Sequence, residues 1–115
     1  KAAAQGNAEA LNRLGMIYEQ GIGVPQDYGK AVEWYEKAAA QGDAAAQLNL
    51  GEMCEKGFGV PQDYARAYMW VNLAAAQGWP DAVKARDVMN KTFPSSQIEE
   101  GQRLTREWLA ANPGK

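Results

Sequence analysis

The residues of this chain that can take part in chemistry are few. Glu52 and Glu55 are three residues apart on one predicted helix, so their carboxylates are neighbours and are of the type used in acid–base catalysis. Cys54 is the only cysteine, and there is no histidine to activate it as a nucleophile. We therefore interpret Cys54 as a small buried thiol and the carboxylate pair as a solvated helix face. The same composition excludes an intramolecular disulfide and a histidine-based metal site.

Two glycine-rich stretches are the other candidates for chemistry. Residues 21–26 read GIGVPQ, and residues 57–62 read GFGVPQ. The fingerprint of a dinucleotide-binding loop needs a preceding strand and a third glycine that opens a helix, and the sequence has neither. Glycine permits positive φ angles and proline stops a helix, so we interpret both stretches as turns. The sequence predicts no cofactor and no metal.

These residues lie on a pattern that repeats every 36 residues. Residues 2–28 return as residues 38–64, and about 20 of 36 positions are identical between the two copies. A repeat of this length is typical of stacked helix pairs, in which each pair buries its apolar stripe against the next. Cys54 is in register with Tyr18, at a helix position that the period assigns to the core.

The spacing of apolar residues predicts the helices of each copy. Apolar side chains three and four residues apart predict a helix over residues 8–20, and second helices over residues 28–41 and 64–77. We expect Trp34 and Trp70, on the apolar stripes of the second helices, to contribute most to the core.

Glycine and capping residues mark where these helices begin and end. Mid-helix glycines that recur in both copies, Gly15 and Gly51, predict a close approach of a neighbouring helix. Glycine favours the position just after a helix end, and a short acidic or amide side chain favours the N-cap. The residues that fit these positions are Gly6 and Gly42 as helix ends, and Asn7, Asp43, Asp27 and Asp63 as N-caps.

The third unit departs from the pattern. Pro80 suits the first turn of a helix that runs to about Lys91. Ser95 or Ser96 can cap a final helix that runs to about Asn112 and covers the end of the stack, with these residues turned inward: Ile98, Leu104, Trp108 and Leu109. The predicted units are 1–6 (the end of a preceding repeat helix), 7–42, 43–78 and 79–115 (a degenerate repeat and cap).

The recurring residues of the two copies form a recognisable series. The first copy carries Ala10, Leu14, Gly15, Tyr18, Gly21, Gly23, Val24, Asp27, Ala31, Trp34, Tyr35, Lys37, Ala38, Ala39 and Gly42. The second copy matches at Ala46, Leu50, Gly51, Gly57, Gly59, Val60, Asp63, Ala67 and Trp70, with Cys54 and Val71 in place of the aromatic residues. This series resembles the Sel-1-like repeat, a relative of the tetratricopeptide repeat with a slightly longer loop.

The resemblance implies both a fold and a class of function. The fold is all-α, a right-handed α–α superhelix of about three helix hairpins with a C-terminal capping helix. The function is that of an adaptor that assembles protein complexes, as in bacterial signalling, envelope and host-interaction proteins. Some bacterial relatives with paired cysteines in each repeat are linked to penicillin binding or β-lactam hydrolysis. This chain lacks those pairs, so we do not carry that activity over.

Charge and hydropathy exclude two classes of partner. The net charge is −2 and the chain has no basic cluster, so it lacks the electrostatic footprint of a nucleic-acid binder. No apolar run approaches the roughly 18 residues that a membrane span needs, so we expect no membrane insertion. The compartment stays open, because a bacterial cytoplasm and periplasm both fit.

The resemblance places the first helix of each pair on the concave side of the stack. The helical period then selects the side chains opposite the core stripe on those helices, which also include Gln20, Ala45, Lys56, Asp81 and Lys91. From this set we predict these partner-binding residues: Glu9, Asn12, Met16, Glu19, Leu48, Glu52, Glu55, Lys84 and Val88.

Three functions fit these observations. The first is a non-enzymatic adaptor that binds a protein or peptide in the concave groove through apolar anchors and charges. The second is a structural segment of a longer solenoid with no ligand of its own. The third is an enzyme, which would need a cleft that holds a strongly shifted carboxylate. We also expect the exposed N-terminal end to promote self-association.

Overall fold

The structure is a computed structural model that describes residues 2–114, with side chains from residue 6 onward. Within residues 2–114 the chain forms six helices and no strand, so the predicted all-α class is confirmed. Lys1, where the sequence predicts a remnant of a preceding helix, lies outside these residues. The helices are α1 (Ala2–Gln20), α2 (Tyr28–Ala40), α3 (Ala44–Lys56), α4 (Tyr64–Ala76), α5 (Pro80–Thr92) and α6 (Ser95–Ala111).

Aspartate side chains cap three of the helices as predicted. Asp27, Asp43 and Asp63 precede α2, α3 and α4, and each carboxylate accepts a hydrogen bond from the backbone N–H three residues later. At the other end of α3, Gly57 adopts a φ of 74°, which only glycine tolerates without strain. The repeated local signals therefore produce repeated helix boundaries.

The start of α1 differs from the prediction. The helix runs through Gly6 and Asn7 without a break, so the predicted helix end and N-cap at these two residues are wrong. In the second copy, Gly42 turns the chain with a φ of 92°. This turn lets α2 pack against α1 while the chain reverses direction into α3. A side-chain carbon on Gly6 would meet no neighbour within 4 Å. With no close neighbour among the described residues, adding one hydrogen bond per residue favours continued helix at this point.

The core lies where α2, α3 and α4 meet. Its largest fully buried side chains are Tyr35, Leu50, Met53, Gln47 and Val71. Trp34 and Trp70 are only half-buried, so the prediction that they contribute most to the core is wrong. The residue that follows each tryptophan is turned about 100° further around the helix, which brings Tyr35 and Val71 to the centre instead.

Three glycines let helices approach each other closely. A Cβ at Gly15 would lie 2.5 Å from the Tyr35 ring, and one at Gly51 would lie 2.8 Å from Val71. The predicted packing role of both glycines is confirmed. Gly101 of α6 serves in the same way, because its Cβ would lie 2.7 Å from Tyr68 of α4.

Successive repeats are joined at the start of α2. Gly59, with a φ of 76°, lies so close to this helix that a Cβ would be 2.5 Å from the Tyr28 carbonyl oxygen. The neighbouring Phe58 ring stacks on Tyr28 with centroids 4.8 Å apart. Tyr64 and Phe93 form the next ring pair, also with centroids 4.8 Å apart. A backbone contact and one ring pair therefore connect the first two repeats.

The C-terminal part of the described stack is formed by α5 and α6, and both helices pack against α4. The Pro80 start of α5 is confirmed. The predicted serine cap of α6 is wrong: Pro94 precedes the helix and its carbonyl accepts the N–H groups of Gln97 and Ile98, so Ser95 is already helical. Of the residues predicted to face inward, Ile98, Leu104 and Trp108 are half-buried, whereas Leu109 is 44% exposed.

Candidate functional site

One continuous surface is formed by the first helix of each pair. The charges of Glu19 on α1, Glu55 on α3 and Asp81 on α5 all act on Glu52, in the middle of α3. We call the surface around these four carboxylates the groove face. It brings together three of the predicted binding residues, and Asp81 joins them from the next helix.

Glu52 is the most perturbed carboxylate of the groove face. The residue is partly exposed, but its carboxylate is partly desolvated, and this burial is the main reason that its pKa is raised. The charges of Glu19, Glu55 and Asp81 raise the pKa further, whereas Lys56, one turn along α3, partly offsets them. The ionised form of Glu52 is therefore destabilised both by partial burial and by repulsion from the neighbouring carboxylates.

The core positions Glu19 on this face. The hydroxyl of buried Tyr35 donates a hydrogen bond to Glu19 Oε1 at 2.5 Å. Burial raises the pKa of Tyr35, and the Glu19 carboxylate raises it again, so the hydroxyl keeps its proton and stays a donor. Half-buried Glu19 is thereby held in one orientation instead of moving freely.

Other residues predicted to bind a partner are exposed on the first helices. Met16 and Val88 are exposed apolar residues on α1 and α5, and Glu9 and Lys84 are exposed charged residues. All four lie at the surface, as the helical period predicts. Their part in binding stays a prediction.

Two predicted surface residues are buried instead. Asn12 and Leu48 are each only 8% exposed, so their predicted place on an open surface is wrong. Asn12 accepts a hydrogen bond from Asn49 Nδ2 at 3.0 Å, between α1 and α3. Because α1 and α3 contact each other, the flank of α1 that carries Asn12 is covered by α3. Leu48 belongs to the hydrophobic core cluster. The helical period separates the side that packs against the second helix of the same pair from the opposite side. It does not indicate that part of the opposite side contacts the next first helix.

A cavity of about 270 Å³ lies on the other side of α3 and was not predicted. Leu50 and Cys54 form its buried floor, Val60 and Trp70 its sides, and exposed Glu36 and Arg66 stand at its mouth. Burial raises the pKa of Cys54 to about 11, so the thiol is not the activated form that a nucleophile requires. The feature of the sequence that could have indicated this cavity is the small Cys54 at the repeat position where the first copy has the large Tyr18.

Two negative observations complete the description. Among the side chains described, no three His, Cys, Asp or Glu residues are placed to hold a metal ion. None of the helices within residues 2–114 is both long and apolar enough to cross a membrane.

Comparison with known proteins decides the family. The sequence profile of the Sel1 repeat matches residues 8–43 and 44–79, which make up more than half of the chain. The chain belongs to the Sel1 repeat family. Sel1 repeat proteins are commonly scaffolds for protein–protein interactions, and their fold is typically non-enzymatic.

Two solved bacterial structures are similar to this Sel1 repeat chain, which confirms the predicted solenoid fold. A protective antigen of uropathogenic Escherichia coli strains, which displays an SLR fold, is 33% identical with a TM-score of 0.85, over 96% of this chain and 24% of the antigen. A Sel1 repeat protein from Oxalobacter formigenes is 39% identical with a TM-score of 0.71, over 74% of this chain and 35% of that protein. The chain thus spans only 24% and 35% of their lengths. Comparison with curated protein sequences gives no significant match.

The raised pKa of Glu52 leads to a testable effect on stability. The folded protein binds the Glu52 proton more tightly than the unfolded chain, so ionisation opposes folding. This penalty is absent below the unfolded pKa, near 4.5, and grows as the pH rises through the folded pKa. We expect Glu52→Gln to stabilise the chain at neutral pH by up to about 1 kcal/mol, and the gain to vanish below about pH 4.

Urea unfolding at several pH values measures this effect. Glu33→Gln is the matched control, because Glu33 is an exposed residue of α2. We expect no comparable gain from this control. A stabilisation by Glu52→Gln that is as large in acid as at neutral pH would contradict the assignment.

Proposed function

We propose that this Sel1 repeat chain is a non-enzymatic scaffold that binds a segment of another protein on the groove face. The segment carries a lysine or arginine side chain that enters among Glu19, Glu52 and Asp81. The observation that supports this most is the raised pKa of Glu52, which marks a negative charge under repulsion in a partly desolvated position. A cation from a partner would remove that repulsion and form a charge-assisted hydrogen bond.

The geometry of the groove face supports a bound segment over a single bound cation. The charges on Glu52 come from three consecutive first helices, so a partner that reaches them all must extend along the stack. Exposed Met16 and Val88 on the two outer helices offer apolar contacts along the same direction. An extended or helical segment with one basic and some apolar side chains matches this arrangement.

Glu19 adds specificity to the proposed contact. Because Tyr35 fixes its carboxylate, little side-chain entropy is lost when a partner cation arrives. A planar guanidinium can bond two oxygens of a carboxylate at once, so we expect arginine to be preferred over lysine.

Selection from a random peptide library displayed on phage tests the proposal. We expect the retained peptides to be enriched in arginine or lysine beside apolar residues. Binding of a selected peptide to Glu52→Gln should be about tenfold weaker, equal to about 1.4 kcal/mol. Binding to the matched variant Glu33→Gln should not change.

Three outcomes of this selection would argue against the proposal. If the retained peptides carry no basic residues, the carboxylates of the groove face do not recognise the partner. Equal binding to Glu52→Gln and the parent chain would place the site elsewhere. If no peptide is retained at all, the chain is better described as a structural segment of a longer solenoid.

A further inference from the structure

The cavity beside Cys54 is separate from the groove face. Cys54 and Glu52 are two residues apart on α3, which places them about 200° apart around the helix. The floor of the cavity is closed by buried Leu50 and Cys54, and its mouth opens between Glu36 and Arg66. This site therefore needs an explanation that does not depend on the proposed function.

The first repeat contains the same site with its own occupant. Tyr18 is in register with Cys54, and its ring packs against the core. Lys30 Nζ lies 5.5 Å from the centroid of that ring, in a cation–π arrangement. Arg66 is in register with Lys30 and stands at the mouth of the cavity. The second repeat therefore keeps the cation and lacks the ring.

The backbone around the two sites is also the same. The N–H of Asp27 donates to the Tyr18 carbonyl at 2.9 Å, and the N–H of Asp63 donates to the Cys54 carbonyl at 2.9 Å. Gln26 and Gln62 then make equivalent bonds to the carbonyls of the residues that follow Tyr18 and Cys54. The backbone around Cys54 therefore keeps the same arrangement as the backbone around Tyr18. Because it has not moved inward around the smaller cysteine, the space that a tyrosine ring would fill stays open.

The cavity has the size and lining that a ring requires. Its volume of about 270 Å³ exceeds the roughly 150 Å³ of an apolar protein cavity that is known to admit benzene. Leu50, Val60 and Trp70 give apolar and aromatic walls. Arg66 can lie over the face of a ring at the mouth, as Lys30 does over Tyr18.

We propose that the cavity beside Cys54 is a binding site for a single aromatic ring, in which the ligand takes the place that Tyr18 fills in the first repeat. A phenol or a simple substituted benzene fits this chemistry. Such a ring can belong to a free small molecule or to an aromatic side chain of another protein, and the two sources differ in whether a peptide backbone must fit at the mouth.

The test is a titration of ¹⁵N-labelled chain with p-cresol, followed by two-dimensional NMR. We expect saturable chemical-shift changes confined to the residues around the cavity, including the side-chain N–H of Trp70. A parallel titration with N-acetyltyrosinamide distinguishes the sources. Shifts with both compounds indicate that a protein side chain can enter, and shifts with p-cresol alone indicate a small-molecule site. No localised shift with either compound would overturn the proposal.

Two variants at the same position provide the matched controls. Cys54→Tyr fills the cavity with the residue of the first repeat and should abolish the shifts. Cys54→Ser keeps the cavity open and should retain them. Undiminished shifts in a folded Cys54→Tyr variant would also overturn the proposal.

A second measurement needs no variant. Cys54 is the only cysteine, so iodoacetamide labels the floor of the cavity alone. Saturating p-cresol should slow this alkylation several-fold at mildly alkaline pH. An unchanged rate at a p-cresol concentration that saturates the NMR shifts would place the ligand elsewhere and contradict the proposal.

Discussion

Replacing Gly59 with alanine is expected to destabilise the chain by about 2 to 5 kcal/mol. Part of this loss is the strain of a Cβ at a φ of 76°, which is about 1 to 2 kcal/mol. The larger part comes from the joint between repeats, because the new Cβ would lie 2.5 Å from the carbonyl oxygen of Tyr28. Those atoms are backbone and cannot rotate away, so α2 and the second repeat must move apart.

Gly23 is the matched control for this prediction. It is in register with Gly59 and has a φ of 75°, but a Cβ there would meet nothing within 4 Å. Gly23→Ala should therefore show the strain alone, about 1 to 2 kcal/mol. Urea unfolding of both variants measures the difference. Equal losses in the two variants would show that the Gly59 contact does not hold the repeats together.

Replacing Tyr35 with alanine should have the other large effect, a loss of about 3 to 5 kcal/mol. Tyr35 is fully buried, and its ring fills the space beside Gly15 where α1 crosses α2. Removing the ring leaves a cavity at the centre of the first repeat, because the close backbones on either side cannot collapse into it. Thermal or urea unfolding, with circular dichroism to verify folding, gives the value.

Tyr35→Phe separates the ring from its hydroxyl. This variant keeps the packing and loses only the hydrogen bond to Glu19, whose carboxylate is half-buried and can be hydrated instead. We expect a loss of about 1 kcal/mol. A loss as large as that of Tyr35→Ala would mean that the hydroxyl, and not the ring, supports the core.

Local signals were sufficient to predict most helix boundaries. An aspartate N-cap and a glycine at positive φ act within one turn of the chain, so Asp27, Asp43, Asp63 and Gly57 could be interpreted without knowledge of neighbours. The start of α1 shows the limit of this reasoning. Gly6-Asn7 has nearly the same letters as Gly42-Asp43, but α1 continues through the first pair, whereas the second pair turns the chain between α2 and α3, which pack against each other.

The candidate site was less predictable, because it depends on distances between helices. Asn12 lies on the flank of α1 that α3 covers, and no helical period contains that information. The exchange of Tyr18 for Cys54 was visible in the sequence. Whether the freed volume stays open or collapses is decided by the surrounding backbone, which only the structure shows.

The joint between repeats has a consequence for how such an array can evolve. It uses the main chain at Tyr28, a glycine at position 59 and one stacked ring from Phe58. None of these residues belongs to the groove face. A duplicated unit that keeps these positions and the packed side of its first helix can therefore dock onto its predecessor, while the exposed groove-face positions of that helix accumulate substitutions. Growth of the array by gene duplication and divergence of its recognition surface are thus independent events, each open to selection on its own.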